Sequence, residues 1–81
     1  SPPLEVDFPK EGAVVSSQTI TVLGKTDSNS TVFINNEPSI VGSDGSFKKT
    51  ITVFSGETKI TIKAINSFGK QKTIERHIEV K

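Results

Sequence analysis

The residues that could perform chemistry are few in this chain of 81 amino acids, and they are scattered along it. The sequence contains no cysteine, which excludes a disulfide framework, a thiolate metal site and a thiol nucleophile. Its single histidine, His77, lies at an outward-facing position of a strand-like segment, and no serine has an identifiable base as a partner. A catalytic nucleophile needs a base held beside it, and a metal site needs ligands that converge. The sequence therefore predicts no enzymatic activity, no cofactor and no metal site.

The segment SDGS, residues 43–46, could be mistaken for part of a calcium-binding loop. A loop of the EF-hand type needs several oxygen ligands at fixed positions and a closing glutamate, and these are missing here. Asp-Gly between strand-like segments is instead a strong hairpin signal, in which the glycine adopts a positive φ. We therefore predict a turn at Asp44-Gly45, with Phe47 as the first core residue of the next strand. A second turn is predicted at Asn35-Asn36.

Apolar and polar residues alternate with a period of two along most of the chain, whereas no helical period is sustained. About seven such segments, spaced by about 8–12 residues and separated by turn clusters, are typical of an antiparallel immunoglobulin-like β-sandwich, an all-β fold. Leu4, Val6 and Phe8 are expected to share one face of the first strand. The predicted core comprises Ile20, Val22, Val32, Ile34, Phe47, Ile51, Val53, Ile60, Ile62, Ala64, Ile74, Ile78 and Val80.

Length and charge restrict the domain organisation and the partners. A chain of this size forms one small domain, and we assign it to residues 4–81, with residues 1–3 as a linker or a remnant of cloning. Ten basic and nine acidic residues are interspersed, whereas nucleic-acid binding needs cations clustered on one face. No apolar run approaches the roughly 20 residues that span a bilayer. We therefore predict neither a nucleic-acid partner nor direct insertion into a membrane.

Two cations and one aromatic residue fall at positions that need an explanation. Lys49 and Arg76 occupy inward-facing positions of their strands, where a fully buried, unpaired cation would be costly. We expect both to lie near the edges of the sandwich, with their aliphatic stems packed and their charged ends in water. Phe68, in the turn NSFG, is expected to cap one end of the core.

The order of the turn and strand motifs is similar to that of a known family. The segments FPKEG, ITVLGKT, TVFINN, SDGSF, SGETKITIKAINSFGK and a terminal IEV together resemble a bacterial immunoglobulin-like domain of the glucodextranase B-domain group. The resemblance extends from about Phe8 to Val80. It implies a non-catalytic spacer, accessory or adhesion module within a longer bacterial protein that is secreted or exposed on the cell surface.

Two functional hypotheses follow, and the sequence leaves both open. In the first, the domain is a monomeric structural spacer whose partners are the adjacent domains of the same polypeptide. In the second, it is an adhesion module or a carbohydrate- or substrate-binding accessory module that contacts cell-wall or extracellular polysaccharide, or a protein. Its candidate contact residues are Phe33, Ile65 and His77, which we expect to lie side by side on the outer face of one sheet. A third possibility is the extracytoplasmic part of a membrane-bound enzyme.

Overall fold

Eight β-strands and no helix form the domain in the computed structural model, which describes residues 1–81. The strands are β1 (Glu5–Phe8), β2 (Val14–Val15), β3 (Thr19–Lys25), β4 (Thr31–Ile34), β5 (Glu37–Ser39), β6 (Ser46–Thr52), β7 (Gly56–Ile65) and β8 (Gln71–Val80). Six of them have four or more residues, and these strands are rich in Val, Ile, Thr and Phe, which pack well on a pleated, half-buried surface. None of the chain forms a helix with the length and apolar character needed to cross a bilayer.

The strands form two packed sheets. One sheet has the order β1-β3-β6 and the other has the order β2-β8-β7-β4-β5. Only β2 and β8 pair in parallel, and all other pairs are antiparallel. This arrangement confirms the predicted immunoglobulin-like sandwich, and the one strand beyond the predicted seven is the two-residue β2.

The domain is a short rod with principal dimensions of 39 × 19 × 18 Å. At one end, β1 begins opposite Lys25, the last residue of β3, and the hydroxyl of Thr26 donates to the carbonyl of Pro3 at 2.6 Å. At the other end, Val80 of β8 pairs with Gly56, the first residue of β7. The chain therefore enters at one end of the rod and leaves at the opposite end.

The core lies between the sheets and contains fourteen buried apolar residues. Twelve of the thirteen predicted core residues are among them, and Ile74 is half-buried against the cluster. Leu4 and Val6 complete the core as predicted, but Phe8 is 38% exposed. The register of β1 against β3 shifts between Val6 and Phe8, and such a bulge turns the next side chain to the other face.

Both predicted turns are confirmed as corners of the fold. Asn35 and Asn36 adopt φ values of 50° and 67° and join β4 to β5, the two positive values that a type I′ hairpin requires. Gly45 adopts a φ of 85°, and Asp44 Oδ1 accepts hydrogen bonds from the backbone N–H and the hydroxyl of Ser46, at 3.0 and 2.7 Å. The aspartate thus stabilises its own turn.

The two inward cations differ from each other. Lys49 lies at the edge of its sheet, where its ammonium group is 3.7 Å from a carboxylate oxygen of Glu37 on the opposite sheet. For Arg76 the expectation of a head group in water is wrong. Its Nε donates to the carbonyl of Pro9 at 3.0 Å, and its Nη2 donates to the carbonyl of Val6 at 3.2 Å. Arg76 therefore joins β8 of one sheet to β1 of the other.

Candidate functional site

Two of the three predicted contact residues meet on the outer face of the five-stranded sheet. Phe33 on β4 lies opposite Lys63 on β7, and Ile65 lies opposite Thr31. Phe33 and Ile65 are half-buried and line one open hollow of about 440 Å³, whose other lining residues are Asn29, Thr31, Asn66 and Ser67. Lys63 Nζ stands 5.6 Å from the centre of the Phe33 ring, within cation–π range. The hollow therefore has an apolar floor and a rim of amides and hydroxyls.

His77 does not belong to this hollow. It pairs with Lys59 on β7, six positions from Ile65 along the same strand. At about 3.4 Å per residue, this separation is roughly 20 Å. The structure thus brings Phe33 and Ile65 together and places His77 near the other end of the sheet. The candidate contact residues therefore form two separate groups on the outer face of the five-stranded sheet.

His77 has a hydrogen-bond partner that the sequence analysis did not predict. Glu11, in the turn after β1, accepts from the backbone N–H of His77 at 2.8 Å through Oε1, and its Oε2 is 3.0 Å from Nδ1 of the same histidine. These residues are 66 positions apart, so no local pattern could have paired them. The backbone N–H of His77 is the main cause that lowers the pKa of Glu11, with further contributions from the imidazole and from the charge of Arg76.

The other side chain with a shifted pKa is Asp44, at the opposite end of the rod from Glu11. Its pKa is lowered, first by the hydroxyl of Ser46 and then by the backbone N–H of the same residue. Both contacts lie within the turn. No group of three or more His, Asp or Glu side chains lies close enough together to hold a metal ion.

The most exposed of the large apolar side chains lie on loops. Phe68 is 86% exposed, so the expectation that it caps the core is wrong. Its turn is closed by Asn66, whose Oδ1 accepts from the backbone N–H groups of Phe68 and Lys70 at 2.9 and 3.0 Å. Phe54 is 80% exposed in the connection between β6 and β7. Phe68 lies at the end of the rod where the chain enters, and Phe54 lies at the end where it leaves.

A sandwich of two mainly antiparallel sheets with chain termini at opposite ends defines the class as an immunoglobulin-like module. A model of the family described as glucodextranase, domain B, matches residues 2–81, and the chain belongs to this family. Among solved structures, the chain is similar to the fibronectin(III)-like modules of CbhA from Clostridium thermocellum. The identity is 14% and the TM-score is 0.66, over 98% of this chain and 96% of that chain. At this identity the likeness supports the fold, and the comparison with curated proteins gave no match.

Proposed function

We propose that this domain is a non-catalytic spacer in a multidomain bacterial protein that is secreted or exposed on the cell surface. The observation that carries the proposal is the position of the termini at opposite ends of a rod 39 Å long. A module inserted in this way separates its neighbours by close to its own length. Membership in the glucodextranase domain B family supports a place as an accessory domain within a larger chain.

The N-terminal end of the chain is fixed against the domain, so a preceding domain would join at a defined position. Pro2 is buried, and the carbonyl of Pro3 accepts a hydrogen bond from Thr26, so the entering chain is attached to the domain before β1 begins. We propose that the preceding domain of the same polypeptide contacts Phe68, which lies at this end on a turn closed by Asn66. An exposed aromatic residue on a preformed turn loses little conformational freedom when it is covered. The remaining residues 4–81 form the body of the spacer.

Deletion of residues 4–81 from the longer protein tests the spacer role directly. The distance between the flanking domains, measured by energy transfer between dyes or by solution scattering, should fall by about the 39 Å length of the rod. A distance that does not change would contradict the proposal. The isolated domain should behave as a monomer and should show no hydrolysis of polysaccharide substrates.

The second candidate function is a binding module, and the hollow above Phe33 and Ile65 favours it. An aromatic floor beside a cation and a rim of amides offers stacking and hydrogen bonds to an extracellular polysaccharide or to a protein. His77 would then be a separate contact, since it lies roughly 20 Å away along the sheet.

A proton–nitrogen NMR titration separates the two functions. The ¹⁵N-labelled domain is titrated with cell-wall glycan fragments, with soluble polysaccharides and with calcium. For a spacer, we expect none of them to move the amide resonances. Shifts clustered on Phe33 and Ile65 that disappear in Phe33→Ala, and persist in the control His77→Ala, would support the binding module and contradict the passive role.

A further inference from the structure

The segment that follows β1 is attached to the last strand along most of its length. Three backbone hydrogen bonds join it to β8 and its C-terminal end: Gly12 N to His77 O at 2.7 Å, Glu79 N to Ala13 O at 2.9 Å, and Lys81 N to Val15 O at 2.8 Å. The parallel pairing of β2 with β8 lies within this contact. The first and the last parts of the chain are therefore in direct contact, although they leave the rod at opposite ends.

Side chains extend the same contact toward the start of the chain. The carboxylate of Glu11 reaches both the backbone N–H and Nδ1 of His77. The guanidinium of Arg76 reaches the carbonyls of Val6 and Pro9. Consecutive residues of β8 thus contact successive parts of the entering segment, and each of these four contacts involves the carboxylate of Glu11 or the guanidinium of Arg76, whose charge strengthens a hydrogen bond.

The direction of the strands decides how tension acts on this contact. Because β2 and β8 run in parallel, a pull on the N-terminus moves the entering segment one way and a pull on the C-terminus moves β8 the other way. The two strands would slide past each other, and all of their hydrogen bonds would be stretched together. An antiparallel pair pulled from one end, in contrast, separates one hydrogen bond at a time.

We propose that the contact of residues 6–15 with β8 is a mechanical clamp that resists tension, so that the domain can transmit force between its neighbours without unfolding. This function deepens the spacer role and rests on it, because tension reaches the clamp only when domains are attached at both ends. No other strand lies between the two pulling points and the clamp, apart from β1 with its short pairing to β3. Leu4 and Val6 on this path are buried in the core, so a pull on the N-terminus loads β1 and the clamp before it reaches the other strands.

Pulling one domain in two directions tests the clamp. The sequence has no cysteine, so introduced cysteines define the attachment points without ambiguity. Ser1→Cys with Lys81→Cys loads the clamp in shear. Ser55→Cys with Lys81→Cys pulls at the end where Gly56 pairs with Val80, and it separates β7 from β8 pair by pair. Since several hydrogen bonds must break together in shear, unfolding at the same force should be roughly tenfold slower, or more, through the termini.

Variants of two neighbouring residues on β8 test which side-chain contacts resist the pull. Arg76→Met keeps the aliphatic stem and removes both guanidinium hydrogen bonds, so unfolding under terminal load should be roughly tenfold to a hundredfold faster. The control Glu75→Gln removes an exposed ion pair with Lys59 that lies outside the clamp, and its rate should stay within about twofold.

Comparison of the two pulling directions shows whether Arg76 resists tension in particular or only stabilises the fold. If Arg76 only stabilised the fold, Arg76→Met would accelerate unfolding equally in both directions, and the clamp would be refuted. Equal rates for the two directions in the wild-type domain would refute it as well. Either result would leave the spacer role intact, because the distance between flanking domains is measured without load.

Discussion

Gly24 lies in the middle of β3 at a place where the structure leaves no room for a side chain. A Cβ built on this residue would come closer than 3.0 Å to the backbone oxygen of Glu5 on one side and to the ring of Phe47 on the other. The ring could tilt, but the oxygen belongs to β1, which is paired with β3 at this position. The substitution Gly24→Ala must therefore displace β1, the Phe47 ring or both.

The expected loss follows from these contacts. Inserting a methyl group into a packed interior destabilises by about 1–3 kcal/mol. The smaller conformational freedom of alanine in the unfolded chain offsets about 0.4–1 kcal/mol of this. Because one of the two obstacles is backbone, we expect a net loss of about 2 kcal/mol. This is a large share of the roughly 4–12 kcal/mol expected for a domain of this length. The melting temperature should fall by roughly 8–16 °C.

Circular dichroism during urea and thermal unfolding is the suitable assay, since the chain has no Trp and no Tyr for intrinsic fluorescence. Gly42→Ala is the matched control, because its Cβ would approach only the carboxylate end of Asp44 closely, at 3.1 Å. The double variant Gly24→Ala with Phe47→Leu tests which obstacle dominates. If Gly24→Ala stays within about 0.5 kcal/mol of the wild type, the close packing of β1 on β3 described above is refuted.

Three further substitutions probe single features of the fold. Ser39→Ala should raise the free energy of unfolding by about 1 kcal/mol, because Ser39 Oγ is buried without a hydrogen-bond partner; a loss of stability would mean that the hydroxyl contributes to packing or bonding. Glu11→Gln should lower the melting temperature at about pH 7, and it should lower it by less at about pH 3. The pKa of Glu11 is lowered from 4.5 in the folded state, so its carboxylate stabilises the fold above that value, and the contribution is lost as the pH falls through the lowered pKa. A difference between Glu11→Gln and the wild type that is the same at both pH values would contradict this linkage. Phe68→Ser should change the stability of the isolated domain by no more than about 0.5 kcal/mol, because the side chain is 86% exposed; a loss well above this value, measured by urea unfolding, would place Phe68 in the core after all.

The sequence by itself determined the elements and the faces of this domain. Inward and outward positions follow from the period of two, because successive side chains of a strand point to opposite faces whatever the strand pairs with. For this reason residues such as Ile34, Ile60 and Val80 were placed in the core correctly. The turns at Asn35-Asn36 and Asp44-Gly45 could also be predicted from the sequence, since a positive φ is a local preference of Asn and Gly.

The tertiary structure decided everything that depends on which segments meet. Glu11 contacts His77 across 66 positions, and Arg76 contacts the carbonyls of Val6 and Pro9, because the fold places β1 opposite β8 and the segment after β1 beside β8. The bulge after Val6 exposes Phe8 against the alternation, and the pairing of β7 with β8 separates His77 from Phe33. Alternation is a property of one strand, whereas register, bulges and contacts between distant strands arise only when two strands pair, and no single segment of the sequence encodes them.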